Sequence, residues 1–194
     1  MENKFTEKES INLILGMIEN AKQNVKKGLG LYFLLWGYLV VLAGLVNFIF
    51  FGNRWASIGW LIMIPIGLLG NIIITRKNKQ IAKVYTHADR FIGNVWLAFG
   101  ISLCILLLPA FGLVAIPSGG FFMFYIAMLV VAGMAIFISG AIYSYKPLKF
   151  GAVICWACAL GCFFVSWRYN ILLYTIGFFF GYLVPGHMII RKAK

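Results

Sequence analysis

Residues 75–90 read TRKNKQIAKVYTHADR. Arg76, Lys77, Lys79, Lys83 and Arg90 make the stretch basic, and it interrupts a sequence that is otherwise nearly all apolar. Two long hydrophobic runs precede it and four follow. Apolar runs of about 18 residues or more with few charges are candidate membrane helices. Lysine and arginine are retained on the cytoplasmic side during insertion. The stretch is therefore expected to be a cytoplasmic loop that sets the direction of every run around it.

The runs on either side of it give six expected spans, at about 30–51, 56–75, 91–116, 121–145, 148–167 and 171–190. Gly52-Asn53-Arg54-Trp55, Pro117-Ser118-Gly119-Gly120, Lys146-Pro147 and Arg168-Tyr169-Asn170 read as turns between them. With the N-terminus inside, Lys4, Lys8, Lys22, Lys26, Lys27, the five loop cations, Lys146, Lys149, Arg191, Lys192 and Lys194 fall on one side, and Arg54 and Arg168 on the other. That is 15 against 2, and only an even number of crossings preserves the alternation. Both termini are expected to be cytoplasmic. The fold class is thus an all-α integral membrane bundle of six transmembrane helices in three antiparallel hairpins. It divides into a cytoplasmic helix at 1–28, a transmembrane domain at 29–190 and a tail at 191–194.

Composition agrees. The 194 residues are 62% hydrophobic and 11% charged, where a soluble domain is about a quarter charged. The net charge of +12 does not point to nucleic acid, because the cations punctuate apolar spans rather than lining one soluble face. The stretches outside the spans are too short to bury a core of their own, so no soluble catalytic domain is expected. Neither a cleavable signal nor a lipidation motif is read, and the chain is expected to be anchored by its own helices.

Residues 1–28 read as an amphipathic helix. Thr6 and Glu9 have capping-box spacing, Ile11, Ile14, Ile18, Ala21 and Val25 fall on one stripe, and Gly28 is a natural stop. Two roles stay open. The helix can lie among headgroups, with Lys22, Lys26 and Lys27 facing anionic lipid, or it can dock on a protein partner or a second copy. Gly177 and Gly181 have the small-xxx-small spacing of close helix approach and join the interaction candidates. Glycines also recur in the second helix of each hairpin, at Gly67 and Gly70, Gly133 and Gly140, Gly177 and Gly181, as in a weak threefold repeat. Trp55 and Trp167 are expected at the outer boundary, and Trp36, Trp60, Trp96 and Trp156 as packing residues within spans. Pro65, Pro109 and Pro185 are expected to shape the bundle by kinking it.

The sequence is poor in chemistry. Glu2, Glu7, Glu9, Glu19 and Asp89 all fall on the cytoplasmic side. No span holds a charged residue away from its ends, so proton-coupled transport and intramembrane acid–base catalysis lack their working groups. Transferases that hold metals with paired carboxylates are excluded on the same ground. Cys155, Cys158 and Cys162 share one helical face, and a thiol-exchange or soft-metal site is the functional alternative. Burial in apolar surroundings makes a thiol inert, however, and Cys155 lies about 9 Å along the helix from Lys149. Packing is the expected role of these thiols and of Cys104. His87 is expected to be solvated and His187 interfacial, after the helix-loosening Pro185-Gly186. Asn47, Asn71, Asn94 and Ser102 are expected to bond across helices. No catalytic residue, metal or cofactor is expected.

Glu9-Ser10-Ile11-Asn12-Leu13-Ile14-Leu15-Gly16-Met17-Ile18-Glu19-Asn20-Ala21-Lys22, followed by Phe33-Leu34-Leu35-Trp36-Gly37-Tyr38, resembles the opening of a family of small bacterial membrane proteins of unassigned function. Pro185-Gly186 is similar to that family's close. The resemblance implies a bacterial inner-membrane location and brings no activity or catalytic residue. The expected function is non-enzymatic, by association with a membrane or cytoplasmic partner or with itself. The alternatives are a small uncoupled transporter or channel for a neutral solute, and a thiol oxidoreductase using Cys155 and Cys158.

Overall fold

The computed structural model describes residues 7–53, 58–81, 87–108 and 121–192, with the backbone alone at 7–10, 13–15, 17–27, 78–81, 87–89 and 121–122. Among the described residues there are helices and no strand. They are α1 (Glu7–Ile49), α2 (Ile58–Ile81), α3 (His87–Leu107), α4 (Phe121–Ile142), α5 (Lys146–Gly161), α6 (Trp167–Phe178) and α7 (Val184–Lys192). A π turn, Phe179–Leu183, joins α6 to α7, and Trp167–Lys192 forms one helical stretch. Among the described residues, five stretches are long and apolar enough to cross a membrane: Gly28–Ile49, Ile58–Lys77, Arg90–Leu107, Met123–Ile142 and Trp167–Lys192.

Four boundaries differ from expectation, the first being that the stretch 75–90 is helical at both ends, with 75–81 continuing α2 and 87–90 opening α3. Gly28 does not stop a helix: α1 runs 43 residues without a break, about 65 Å. A glycine ends a helix by taking positive φ, and among the described glycines Gly52 does so, at +88°. The turn expected at 168–170 lies at 162–166, with Ser166 extended as the cap of α6. Tyr169 and Asn170 donate their amides to the Ser166 carbonyl oxygen, so Arg168 belongs to the first turn of α6. The Lys146-Pro147 turn lies slightly earlier, at Tyr143–Tyr145, where Ser144 takes φ +51°. Pro147 instead sits in the first turn of α5, where its missing amide costs no hydrogen bond. These two shifts leave α5 with 16 residues, about 24 Å. The Thr6–Glu9 capping box, Trp55, Pro109 and the turn at 117–120 lie outside the described residues.

Side-chain contacts give the helix directions. Tyr32 and Thr75 share a hydroxyl hydrogen bond at 2.7 Å, and Trp36 Nε1 donates to Asn71 Oδ1 at 3.2 Å, so α1 and α2 are antiparallel. Gly30 meets Ile189, Gly37 meets Leu183 and Gly44 meets Thr175, so α1 opposes α6 and α7 as well. Tyr125 pairs with Tyr174, Leu129 with Gly177 and Ile136 with Gly181, and both numbers rise together. Hence α4 runs parallel to α6. Trp156 meets Gly133 and Leu148 meets Gly140, so α5 runs back between them.

The most extensive helix pair is α4 with α5, which belong to different expected hairpins. Helix α1 packs on α2, α6 and α7. The buried share of the apolar stretch is 56% in α4 but 6% in each of α2 and α3. The core is therefore α1, α4, α5, α6 and α7, with α2 and α3 at its edge. The glycine repeat does not hold as a structural rule. Gly67 and Gly70 accept Trp36 and Leu35 from within their hairpin, whereas Gly133 and Gly140 accept α5.

Candidate functional site

The densest cluster of chemically distinctive residues is the seam where α5 meets α6 and the π turn. Glycine permits the contact. A methyl group on Gly151 would lie 3.0 Å from the Phe180 carbonyl oxygen and 3.0 Å from Gly181 Cα. One on Gly177 would lie 2.6 Å from Leu129, and one on Gly181 2.6 Å from Cys155 Sγ. Gly177 and Gly181 thus face inward, against α4 and α5. The close approach that their spacing allows is made within the chain, not on an outer surface where a second copy would meet them.

Pro185 explains the π turn beside this seam. It has no amide to give the Gly181 carbonyl, and its ring crowds that oxygen. The chain widens by one residue per turn, so that the Val184 amide bonds to Phe179 O. Such bulges free carbonyls, which must be satisfied from elsewhere in a water-free interior. Cys155 Sγ donates to Gly177 O at 3.2 Å. Cys155, Cys158 and Cys162 are all buried and all free thiols. Their face is turned to the seam, which gives them the packing surroundings expected of them. Cys104 is exposed on α3.

Next to the thiols lies an aromatic column. Tyr174, Phe178 and Tyr182 recur every four residues, with ring centroids 4.7 Å and 4.8 Å apart. Tyr125 and Trp167 extend it at one end, at 5.3 Å and 5.8 Å. Phe33 lies 5.1 Å from Tyr182 and 5.6 Å from Trp96 at the other. These are the offset and edge-on distances at which rings attract. Trp96 Nε1 is buried there without a hydrogen-bond partner among the described residues.

The other expectations divide. Trp36, Trp60, Trp96 and Trp156 pack between helices, and Trp167 is partly exposed at the end of α6. Asn71 bonds across helices, whereas Ser102 bonds back to Ala98 O on its own helix. His187 Nε2 and Tyr38 OH share a hydrogen bond at 2.7 Å, a pairing that the sequence did not announce. Ile11 is exposed, while the side chains of Ile14, Ile18 and Val25 lie outside those described. Among the described residues no group of three or more His, Cys, Asp or Glu could hold a metal.

The glycine spacing of α1 is itself a sequence signal of how that helix packs. Gly30, Gly37 and Gly44 stand seven apart and form one notch line along α1, receiving Ile189 and Ile190, then Leu183 and Tyr182, then Thr175. No protein-family model matches the chain, and no match is found among curated proteins or among solved structures.

Proposed function

We propose that the chain is a non-enzymatic, six-span protein of the bacterial inner membrane, both termini cytoplasmic, that works by association through the N-terminal half of α1. The observation that carries this is the unbroken helix. A hydrocarbon core is about 30 Å thick, and Gly28–Ile49 is sufficient to cross it. Glu7–Lys27 continues the same helix for a further 30 Å or so. A helix that crosses the bilayer without a break has no joint at which its first half could fold down among the headgroups. That favours docking on a protein over lying in the interface.

The six-span count draws support from helix direction. Helices α4 and α6 are parallel, so the chain between them has to return, and α5 is the returning element despite its length. By the same logic α2 and α4 are parallel, and α3 returns between them. The charge ledger alternates in step. The ring centroids of Tyr174, Phe178 and Tyr182 lie 4.7 Å and 4.8 Å apart, and such close packing favours association over passage of a solute. The thiol face is buried in the seam, which favours packing over exchange.

The test is a photocrosslinking residue at Ile11 in native membranes, with a second at Phe164 as control. Protein adducts at Ile11 and not at Phe164 are expected, and co-purification of the adducted protein should be lost when residues 2–27 are removed with insertion intact. Adducts to lipid alone, or co-purification unchanged by the deletion, would overturn the proposal.

A further inference from the structure

Beyond Asp89 the chain has no acidic residue, yet it carries Arg90, Lys146, Lys149, Arg168, Arg191, Lys192 and Lys194. These cations can find no side-chain carboxylate in that half of the chain. Two of them, Lys146 and Lys149, stand in the first turn of α5, which has no acidic residue. That is the positive end of the helix dipole, where an anion is favoured and a cation is not. The same end carries an open surface groove of about 410 Å³, lined by Lys146, Lys149, Phe150 and Val153.

The lining has a polarity. Lys146, Lys149, Phe150 and Val153 follow helical spacing on one face, cations first and apolar groups after. Phe150 is 69% exposed and Val153 52%. Further down the same helix Leu160 is exposed as well. Lys149 Nζ lies 5.9 Å from the Phe137 ring, and Lys192 Nζ 5.7 Å from the Tyr145 ring, so a third ammonium stands at the α4–α5 turn. Gly140 lets α4 approach Leu148 and Lys149, which fixes the first turn of α5 against its neighbour.

We propose that this end of α5 is a binding site for one anionic phospholipid, with its phosphate between Lys146 and Lys149 and an acyl chain along Phe150 and Val153. Charge complementarity chooses the headgroup, since basic pockets at the cytoplasmic ends of membrane helices take anionic lipid. The apolar stripe below the cations chooses a lipid over a free phosphate. The site rests on the six-span reading only in placing Lys146 and Lys149 at headgroup depth. Docking through α1 does not enter, so either can fail alone.

The experiment is native mass spectrometry of the full chain released from detergent, titrated with dioleoyl phosphatidylglycerol or with phosphatidylcholine of the same chains. One phosphatidylglycerol per chain should be retained preferentially. The double variant Lys146→Gln, Lys149→Gln should weaken it by at least about tenfold, and Lys146→Arg, Lys149→Arg should retain it. Arg168→Gln, at the opposite end, should change nothing. Val153→Trp should weaken phosphatidylglycerol by filling the acyl path. Equal retention of both lipids, full retention by the glutamine variant, or displacement by millimolar inorganic phosphate would each overturn the proposal. So would loss of binding in the arginine variant, which keeps the charge.

Discussion

The Cys155 thiol hydrogen-bonds to the carbonyl oxygen of Gly177 at 3.2 Å, and the same sulfur occupies the space that a side chain at Gly181 would need. Thiol and glycine are complementary shapes across one seam. Gly181→Ala must displace Sγ, which has no free stem on which to retreat. Overpacking of this kind costs about 1–3 kcal/mol. The midpoint of unfolding in mixed micelles should fall accordingly. Cys155→Ala in the same chain should recover part of the loss, because neighbouring substitutions couple. Strict additivity of the two would count against the contact.

The notch line on α1 makes a second expectation. Gly44→Ala would press on the Thr175 hydroxyl, which bonds back to Ile171 O at 2.8 Å. Gly37→Ala would press on Leu183. Each should destabilise by about 1–3 kcal/mol. Gly93→Ala, where a methyl would meet nothing within 4 Å, should be neutral or slightly stabilising, since alanine favours helix. Equal effects at all three sites would show that packing against α6 and α7 is not what the α1 glycines serve.

Trp36 and Asn71 tie the peripheral helix α2 to the core. Interhelical hydrogen bonds in membranes average about 0.6 kcal/mol by double-mutant cycles. Trp36→Phe and Asn71→Ala should therefore show coupling of about that size in a steric-trap or micelle titration. Zero coupling would mean that the two groups do not bond in the bilayer.

The four thiols should not react alike. Cys104 is exposed, whereas Cys155, Cys158 and Cys162 are buried. A small membrane-permeant methanethiosulfonate should leave Cys155, Cys158 and Cys162 unmodified in the folded chain and modify all four thiols after denaturation. Reaction at Cys155 or Cys158 in the folded protein would revive a thiol-exchange role.

Much of this architecture was legible in the sequence because hydrophobic length and cation placement are local properties. The apolar runs became helices, and Gly52 made its turn. Gly28 apart, the failures share a cause: a local signal was outweighed by contacts far along the chain. Gly28 has the composition of a stop, but the helix signal on both sides of it is strong enough to run through. Arg168 suggested a turn by its charge, yet it lies 5.0 Å from the Phe48 ring, and the preceding Ser166 starts α6. Gly177 and Gly181 read as interaction candidates but face inward, since spacing does not say which helix comes close. The π turn needed Pro185 and the seam together. The Tyr38–His187 pair joins residues far apart in the chain, which no periodicity reports.

The continuity of α1 is tested most directly by the distance between spin labels on Ile11→Cys and Ile49→Cys in a Cys104→Ser background, measured by double electron–electron resonance in nanodiscs. Both sites are exposed, at 57% and 66%. An unbroken helix places them about 57 Å apart, at about 1.5 Å per residue. A distribution centred there is the expected result. A distribution centred near 40 Å, the separation for a right-angled bend at Gly28, would put the first half of α1 on the membrane surface and remove the basis for docking.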